Sequence, residues 1–260
     1  MAYIGITERG DASIDFSWVK ALKSDRCNGA VIITKNLNPE MFQPLLEHKE
    51  KIVLHCTVTG YGGSVLEPNI PKPQKIYENL RLLLDAGFPK EQVVLRIDPI
   101  IPTEKGLKKA DAVADVFWGS YERIRISVID MYPHVRERFK GKNVPCPFGE
   151  SKIAPKESME LVERFINKWI GKVRVELCAE QDINKGYHTG CVSEFEYRLF
   201  NMELPDPKKE ESRNRQRTSC SCFPKRELLS EKCRCPYQCL YCYWKDRNPT
   251  DPLPKELIID

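Results

Sequence analysis

The residues with the most specific chemistry are three cysteines near the C-terminus, in Cys235-Pro-Tyr-Gln-Cys239-Leu-Tyr-Cys242-Tyr-Trp. This CxxxCxxC spacing places three thiols in one tight loop. Three thiolates so placed can bind three irons of a cubane [4Fe–4S] cluster, which leaves the fourth iron open to a small molecule. With 11 cysteines in 260 residues, chance gives this spacing in roughly 0.02 of such chains, so the motif is specific. Six cysteines, Cys220, Cys222, Cys233, Cys235, Cys239 and Cys242, fall within 23 residues. In a reducing cytosol such a density points to metal binding or redox chemistry rather than to disulfides.

The elements that must position these thiols are readable from periodicity. Strand-like runs at Tyr3–Thr7, Ala30–Lys35, Ile52–Thr57, Val93–Asp98, Ile124–Ile129 and Val173–Cys178 alternate with helical patterns at Asp15–Ser24, Pro39–His48, Pro73–Ala86, Leu107–Trp118 and Lys156–Ile170. Such alternation predicts a parallel α/β sheet, because parallel neighbours need crossover connections. In the fourth to sixth runs one face is apolar (Val93, Leu95 and Ile97; Ile124, Ile126 and Val128; Val173, Val175 and Leu177) and the other carries Arg96, Asp98, Arg125, Ser127, Arg174, Glu176 and Cys178. A parallel strand covered on both faces by helices reads as nearly continuous apolar sequence. The alternation therefore points to a sheet curled into a partial barrel with a polar, ligand-holding lumen, or to strands that meet water. Ligands of such sheets lie at the carboxyl ends of the strands. The pattern stops near Leu204, where prolines and mixed charge read as a linker. Two regions are expected: residues 1–205 as the partial barrel and residues 206–260 as a cysteine-rich segment packed on it.

Composition narrows the function. Hydrophobic residues at 41% and charged residues at 30% describe an ordinary folded protein. No apolar run reaches the ~18 residues of a membrane span, and Met-Ala-Tyr-Ile-Gly-Ile reads as a strand rather than a signal peptide. A cytoplasmic protein without a membrane partner is expected. The net charge is +4, and residues 206–247 hold 11 Lys/Arg against 6 Asp/Glu, so the excess positive charge lies there. It could face phosphate or offset an anionic metal–thiolate centre.

The motif, with an aromatic residue before its third cysteine, resembles the signature of radical S-adenosylmethionine (radical SAM) enzymes, and Cys-Leu-Tyr-Cys-Tyr is similar to the spore photoproduct lyase motif. In most radical SAM enzymes the motif follows the first strand, whereas here it follows all six. A closer resemblance is to a family of unknown function, assigned to that superfamily, that carries the motif at its end. Thr-Gly-Tyr-Gly (59–62), Arg-Ile-Asp-Pro-Ile (96–100), Cys-Ala-Glu (178–180), Gln-Arg before Cys220-Ser-Cys222 and the terminal motif carry this match. The resemblance implies a partial (β/α)6 TIM-like barrel with a C-terminal Fe–S-binding segment, and Cys235, Cys239 and Cys242 as cluster ligands with Tyr241 against the adenine of SAM. It also implies reductive cleavage of SAM to a 5′-deoxyadenosyl radical that abstracts a substrate hydrogen. The electron would come from a reductant such as flavodoxin or ferredoxin.

SAM is a zwitterion with a sulfonium, an adenine and a ribose diol, so its pocket needs acceptors, a cation and close backbone approach. Gly60 and Gly62, after the third strand, lack a Cβ and allow that approach, though a plain turn would read the same. Lys35, Arg96 and Asp98 end strands. Arg96 could hold the methionine carboxylate in a bidentate pair, while Asp98 could accept from the ribose or pair with Arg96. Glu180 beside Cys178 could serve SAM or substrate, and Glu8, Arg9, Asp11 and Asp130 are weaker candidates. No residue stands out as a catalytic acid or base, and His55, within a strand, reads as structural.

Four further cysteines, Cys178, Cys191, Cys220 and Cys222, lie in the stretches that carry the family resemblance. They could ligate a second [4Fe–4S] cluster, hold a structural zinc, or remain free thiols. Cys27, Cys56, Cys146 and Cys233 read as packing residues. The competing class is a non-catalytic zinc module that binds nucleic acid through Arg213, Arg215, Arg217, Lys225, Arg226, Arg234, Lys245 and Arg247, interleaved with Tyr237, Tyr241, Tyr243 and Trp244. CxxxCxxC, however, lacks the paired CxxC of common zinc ribbons. For the enzyme, a nucleic-acid base, a small metabolite and a peptide all remain open as substrates.

Overall fold

The computed structural model describes residues 2–205, 219–230 and 235–244. Its strands are β1 (Tyr3–Ile6), β2 (Cys27–Thr34), β3 (Ile52–Thr57), β4 (Val93–Ile100), β5 (Arg123–Val128), β6 (Arg174–Leu177), β7 (Tyr187–His188) and β8 (Arg226–Glu227). They form one sheet in the order β7-β6-β5-β4-β3-β2-β1-β8, and every pairing is parallel. The helices are α1 (Ser17–Leu22), α2 (Phe42–Glu47), α3 (Pro73–Asp85), α4 (Glu104–Val116), α5 (Pro133–Gly141), α6 (Lys156–Trp169) and α7 (Glu194–Leu199). Pro73 and Pro133 open their helices at a position where the missing N–H costs no hydrogen bond. Thr103 caps α4 by accepting from the Gly106 amide at 3.1 Å.

All six expected strands are present, and so is the alternation with helices that predicts their parallel pairing. β7 and β8, of two residues each, are too short to show a period. α5 and α7 also went unpredicted, although each carries a start signal: a proline at its first turn in α5, and in α7 a capping box of Ser193 and Glu196.

The apolar strand faces lie under the helices. Ala30, Ile32, Leu54, Leu95, Ile97, Ile124, Ile126, Val175 and Leu177 share one core with Trp18, Leu80, Leu83, Phe117, Phe165 and Trp169. The opposite face is neither an open lumen along its length nor exposed to water. Its apolar part, Ile4, Ile6, Val31, Val53 and Val94, is covered by Tyr197 and Phe200 of the α7 region. Its central charges are buried and paired: Arg125 Nη2 donates to Glu176 at 2.5 Å, and Arg123 Nη1 to Glu196 of α7 at 3.0 Å. His55 stands 3.5 Å from Arg125 and is fully buried, as a structural histidine should be. Charges out of water persist only when paired in this way. The expectation of a polar face thus holds, but its middle is filled by ion pairs among Arg123, Arg125, Glu176 and Glu196 of α7, and a cleft opens toward the C-terminal parts of the strands, at Ile33, Thr57, Arg96 and Ser127.

Part of the described cysteine-rich segment joins the sheet. Gly5 and Ile6 of β1 pair with Arg226 and Glu227 of β8, and Leu228 and Leu229 join the helix-side core. The expected linker, Cys233 and the tail from Asn248 lie outside the described residues, as does the 205/206 boundary on its C-terminal side. Among the described residues, no helix is long and apolar enough to cross a membrane.

Candidate functional site

Parallel strands all end on the same side of the sheet, and here a cleft lies over those ends. All seven cysteines of the two predicted sets line it: Cys235, Cys239 and Cys242 from the motif, and Cys178, Cys191, Cys220 and Cys222 from elsewhere. The motif loop returns to the strand ends through specific contacts. The Leu240 amide donates to Leu66 O at 2.9 Å, Asn69 Nδ2 to Pro236 O at 2.9 Å, and Arg138 to Cys242 O at 2.5 Å and Trp244 O at 2.6 Å. Tyr237 and Leu240 pack into an apolar seat with Leu66, Ile70, Ile101, Met131 and Phe139. The Tyr237 hydroxyl lies 2.8 Å from Ser13 Oγ and accepts from Asn36 Nδ2 at 2.8 Å. The late position of the motif in the chain therefore does not keep it from the strand ends.

Behind the motif stands a buried polar knot. Lys35, just past β2, donates through Nζ to Glu67 Oε1 at 2.9 Å, to the Tyr241 hydroxyl at 3.1 Å and to Asp98 O at 3.2 Å. Tyr241 also donates to Glu67, and Thr59 Oγ1 donates to the other Glu67 oxygen at 2.7 Å. Burial opposes the Lys35 charge most, but Glu67, Cys239 and Asp98 together outweigh it and hold the ammonium above its ordinary range. Burial and the Glu67 charge push the Cys239 thiol well up, and Lys35 offsets only part of this. A thiolate at Cys239 thus needs further positive charge beside it, which a bound metal supplies.

Arg96 and Asp98 pair with each other: Nε reaches Asp98 Oδ2 at 2.9 Å, and Nη2 reaches the same oxygen. Ser127 donates to the other Asp98 oxygen. Arg96 Nη1 in turn donates to Cys191 Sγ at 3.4 Å. Around the second cysteine set, Cys178 Sγ and Cys191 Sγ are 4.0 Å apart, and Cys220 Sγ and Cys222 Sγ 3.1 Å. Cys222 Sγ accepts from the Cys191 amide at 3.1 Å and from Lys225 Nζ at 3.4 Å. Lys225 also pairs with Glu8, whose carboxyl is pushed up to about 7 by burial despite that lysine. The Cys191 thiol is held well below its ordinary range by hydrogen bonds from Cys178 and Cys222, with Arg96 and Arg125 near it.

The structure thus brings Lys35, Arg96, Asp98 and Tyr241 together with the seven cysteines, and Glu8, Asp11 and Asp130 join them in the cleft lining. Gly60, Gly62 and Glu180 stand apart from that lining. Gly60 has φ +83° and lies against Lys109 and Val113 of α4, and a Cβ on Gly62 would meet Pro71 O at 2.0 Å, so protein atoms already occupy the space beside both glycines. Glu180 Oε1 accepts from the Val128 amide at 2.8 Å, and the residue borders a smaller pocket with His188 and Ser219. Cys27 and Cys56 are buried as expected for packing residues, but Cys146 is exposed, on a segment that buries little. Glu67 and Lys225 escaped the sequence reading. Glu67 follows a Gly-rich turn with no period to mark it, and Lys225 was counted only as part of a basic run. Among the described residues, no three ligating side chains already surround a single ion position.

The model of the family described as a domain of unknown function (DUF1848) matches residues 15–244. The chain belongs to that family. The DUF1848 match takes in all seven cleft cysteines as well as Lys35, Glu67, Arg96 and Lys225. Searches of the curated proteins and of the solved structures each found no match.

Proposed function

We propose that this protein is a radical SAM enzyme built on a partial (β/α)6 barrel. The observation that carries the reading is the meeting of Cys235, Cys239 and Cys242 with a cleft over the C-terminal ends of six sequential parallel strands, where ligands of such sheets bind. Three thiols in one loop, with the fourth ligand position left to a small molecule, suit a [4Fe–4S] cluster. When bound, that cluster with its open iron supplies the electron that cleaves SAM to methionine and a 5′-deoxyadenosyl radical.

The residues of the chain supply position and exclusion of water. Tyr241, held by Glu67 and Lys35, presents a fixed aromatic face beside the motif for the adenine. Arg96 and Asp98 lie within β4 as a paired cation and anion and can meet the two charges of the amino-acid end of SAM, Arg96 its carboxylate and Asp98 its ammonium. Tyr243 and Trp244 close one side, and the Tyr243 hydroxyl donates to Glu8 O at 2.9 Å. Glu8 borders the same space, its carboxyl pushed up to about 7 by burial and held by Lys225. The lining carries Glu8, Asp11, Asp98 and Asp130 against Lys35, Arg96 and Lys225. Such a balance suits a small molecule better than a polyanion, whose binding rests on uncompensated cations.

The zinc module has less support. Most of its basic residues lie outside the described residues. Of those described, Lys225 is engaged with Glu8 and Cys222, and Arg226 lies over the Tyr3 ring at 4.9 Å. Anaerobic purification with iron and zinc analysis, followed by an assay for 5′-deoxyadenosine after reduction with SAM, tests the proposal. Iron bound through the motif and release of 5′-deoxyadenosine are expected. Zinc without iron after reconstitution would overturn it.

A further inference from the structure

We infer that Cys178, Cys191, Cys220 and Cys222 form a second metal site, one that takes a four-iron cluster ligated by protein at every iron. The inference goes beyond the proposed activity and does not depend on it. The four thiols come from three places in the chain: the end of β6, the turn after β7 and the stretch before β8. They nevertheless meet on one wall of the cleft.

Three features mark this wall as built for sulfur ligands. Cys222 Sγ accepts from a backbone amide (Cys191) and from Lys225, and Cys191 Sγ accepts from Arg96. N–H donors and cations around sulfur are what an anionic thiolate centre requires, and they tune clusters of this kind. Gly190 makes the approach possible, because a Cβ there would stand 2.3 Å from Cys222 Cα and 2.8 Å from its Sγ. The arrangement therefore holds only while position 190 is glycine.

The thiols stand as two pairs, at 4.0 and 3.1 Å, and no three of them surround one ion point among the described residues. A single tetrahedral ion, with S···S edges near ~3.8 Å, and a cubane, whose corner thiolates stand farther apart, would each have to rearrange them, so the choice rests on where the wall faces. The wall is also linked to the motif across the cleft. Cys191 accepts from Arg96, Arg96 donates to Asp98, and Lys35 bridges Asp98 O to Glu67 and Tyr241. A purely structural ion would not need to face the space shared with the first set.

The test is anaerobic reconstitution of three chains with iron and sulfide: wild type, Cys235→Ser/Cys239→Ser/Cys242→Ser, and Cys220→Ser/Cys222→Ser. Iron and zinc per chain and the paramagnetic resonance of the reduced protein are then measured with and without SAM. About eight irons are expected in wild type and about four in each variant, and the signal of the motif variant should not move with SAM. A motif variant without iron, a Cys220/Cys222 variant that keeps the wild-type content, or zinc in place of the second four irons would overturn the inference. If either variant fails to fold, wild type alone decides. Two reduced species with only one shifted by SAM support the second cluster, and a single species shifted entirely contradicts it. Should the SAM reading itself fail, no signal would respond to SAM, yet the motif variant would still retain about four irons.

Discussion

The two cysteine sets share one cleft but are assembled in opposite ways. Cys235, Cys239 and Cys242 sit within one loop, so their mutual spacing is local, and the remainder of the fold only has to dock that loop through Leu240, Tyr237 and Asn69. Cys178, Cys191, Cys220 and Cys222 are brought together only when β6, β7 and β8 have joined the sheet. The local set therefore survives changes in its surroundings that leave the loop intact, whereas the assembled set depends on backbone packing such as that at Gly190. Polar support follows the same division. The motif leans on a side-chain knot of Lys35, Glu67 and Tyr241, and the assembled set on amide and cation donors to sulfur.

The sharpest way to break this contrast is Cys239→Ser. It should remove the motif's about four irons and leave the iron of the assembled set, which metal analysis reads directly. Glu67→Ala comes next. It leaves Lys35 buried without its carboxylate (side-chain exposures of Lys35 and Glu67 are 19% and 2%), and breaking such a pair costs about 3 kcal/mol. Thermal melting should fall by roughly 6–12 °C for a chain of this size, and SAM binding should weaken. Gly190→Ala should do the converse of Cys239→Ser, at a cost of about 1–3 kcal/mol for forcing a methyl against backbone. Iron in the assembled set should fall while the SAM-responsive signal remains. An unchanged iron content in Gly190→Ala would remove the claimed dependence on packing.

The smallest effect concerns the ion-paired middle of the polar sheet face. Burial, then the Arg125 charge, hold the His55 pKa well below its ordinary value. The unfolded chain therefore takes up this proton first as pH falls below about 6.5. Stability should drop by up to about 1.4 kcal/mol per pH unit until folded His55 itself titrates. Denaturant melts of His55→Gln should show a shallower loss than wild type over that window. Equal slopes would mean that His55 contributes nothing there.

What was legible in the sequence follows from this division into local and assembled parts. The six longer strands announce themselves through β-branched runs, and the alternation of Val93–Asp98 and Val173–Cys178 separated the apolar, helix-covered face from the polar one. The motif was legible because its spacing lies within eight residues. The assembled set was reached only through family resemblance, since nothing local ties Cys178 to Cys222. Glu67 was missed because a single acid after a glycine turn has no pattern, and its meaning comes from Lys35 and Tyr241, which are distant in sequence. β8 was missed because two residues such as Arg226 and Glu227 form a strand only when β1 offers them an edge. At Gly60 and Gly62 close approach was legible but not what approaches, which is α4 at Gly60, through Lys109 and Val113, and Pro71 of the same loop at Gly62.

The most direct test of the central claim is paramagnetic resonance of the anaerobically reconstituted, reduced protein as SAM is added. The account predicts that one cluster signal, absent from Cys239→Ser, shifts on addition of SAM as the small molecule meets the open iron. Iron-loaded wild-type protein whose reduced spectrum is the same with and without SAM would contradict it.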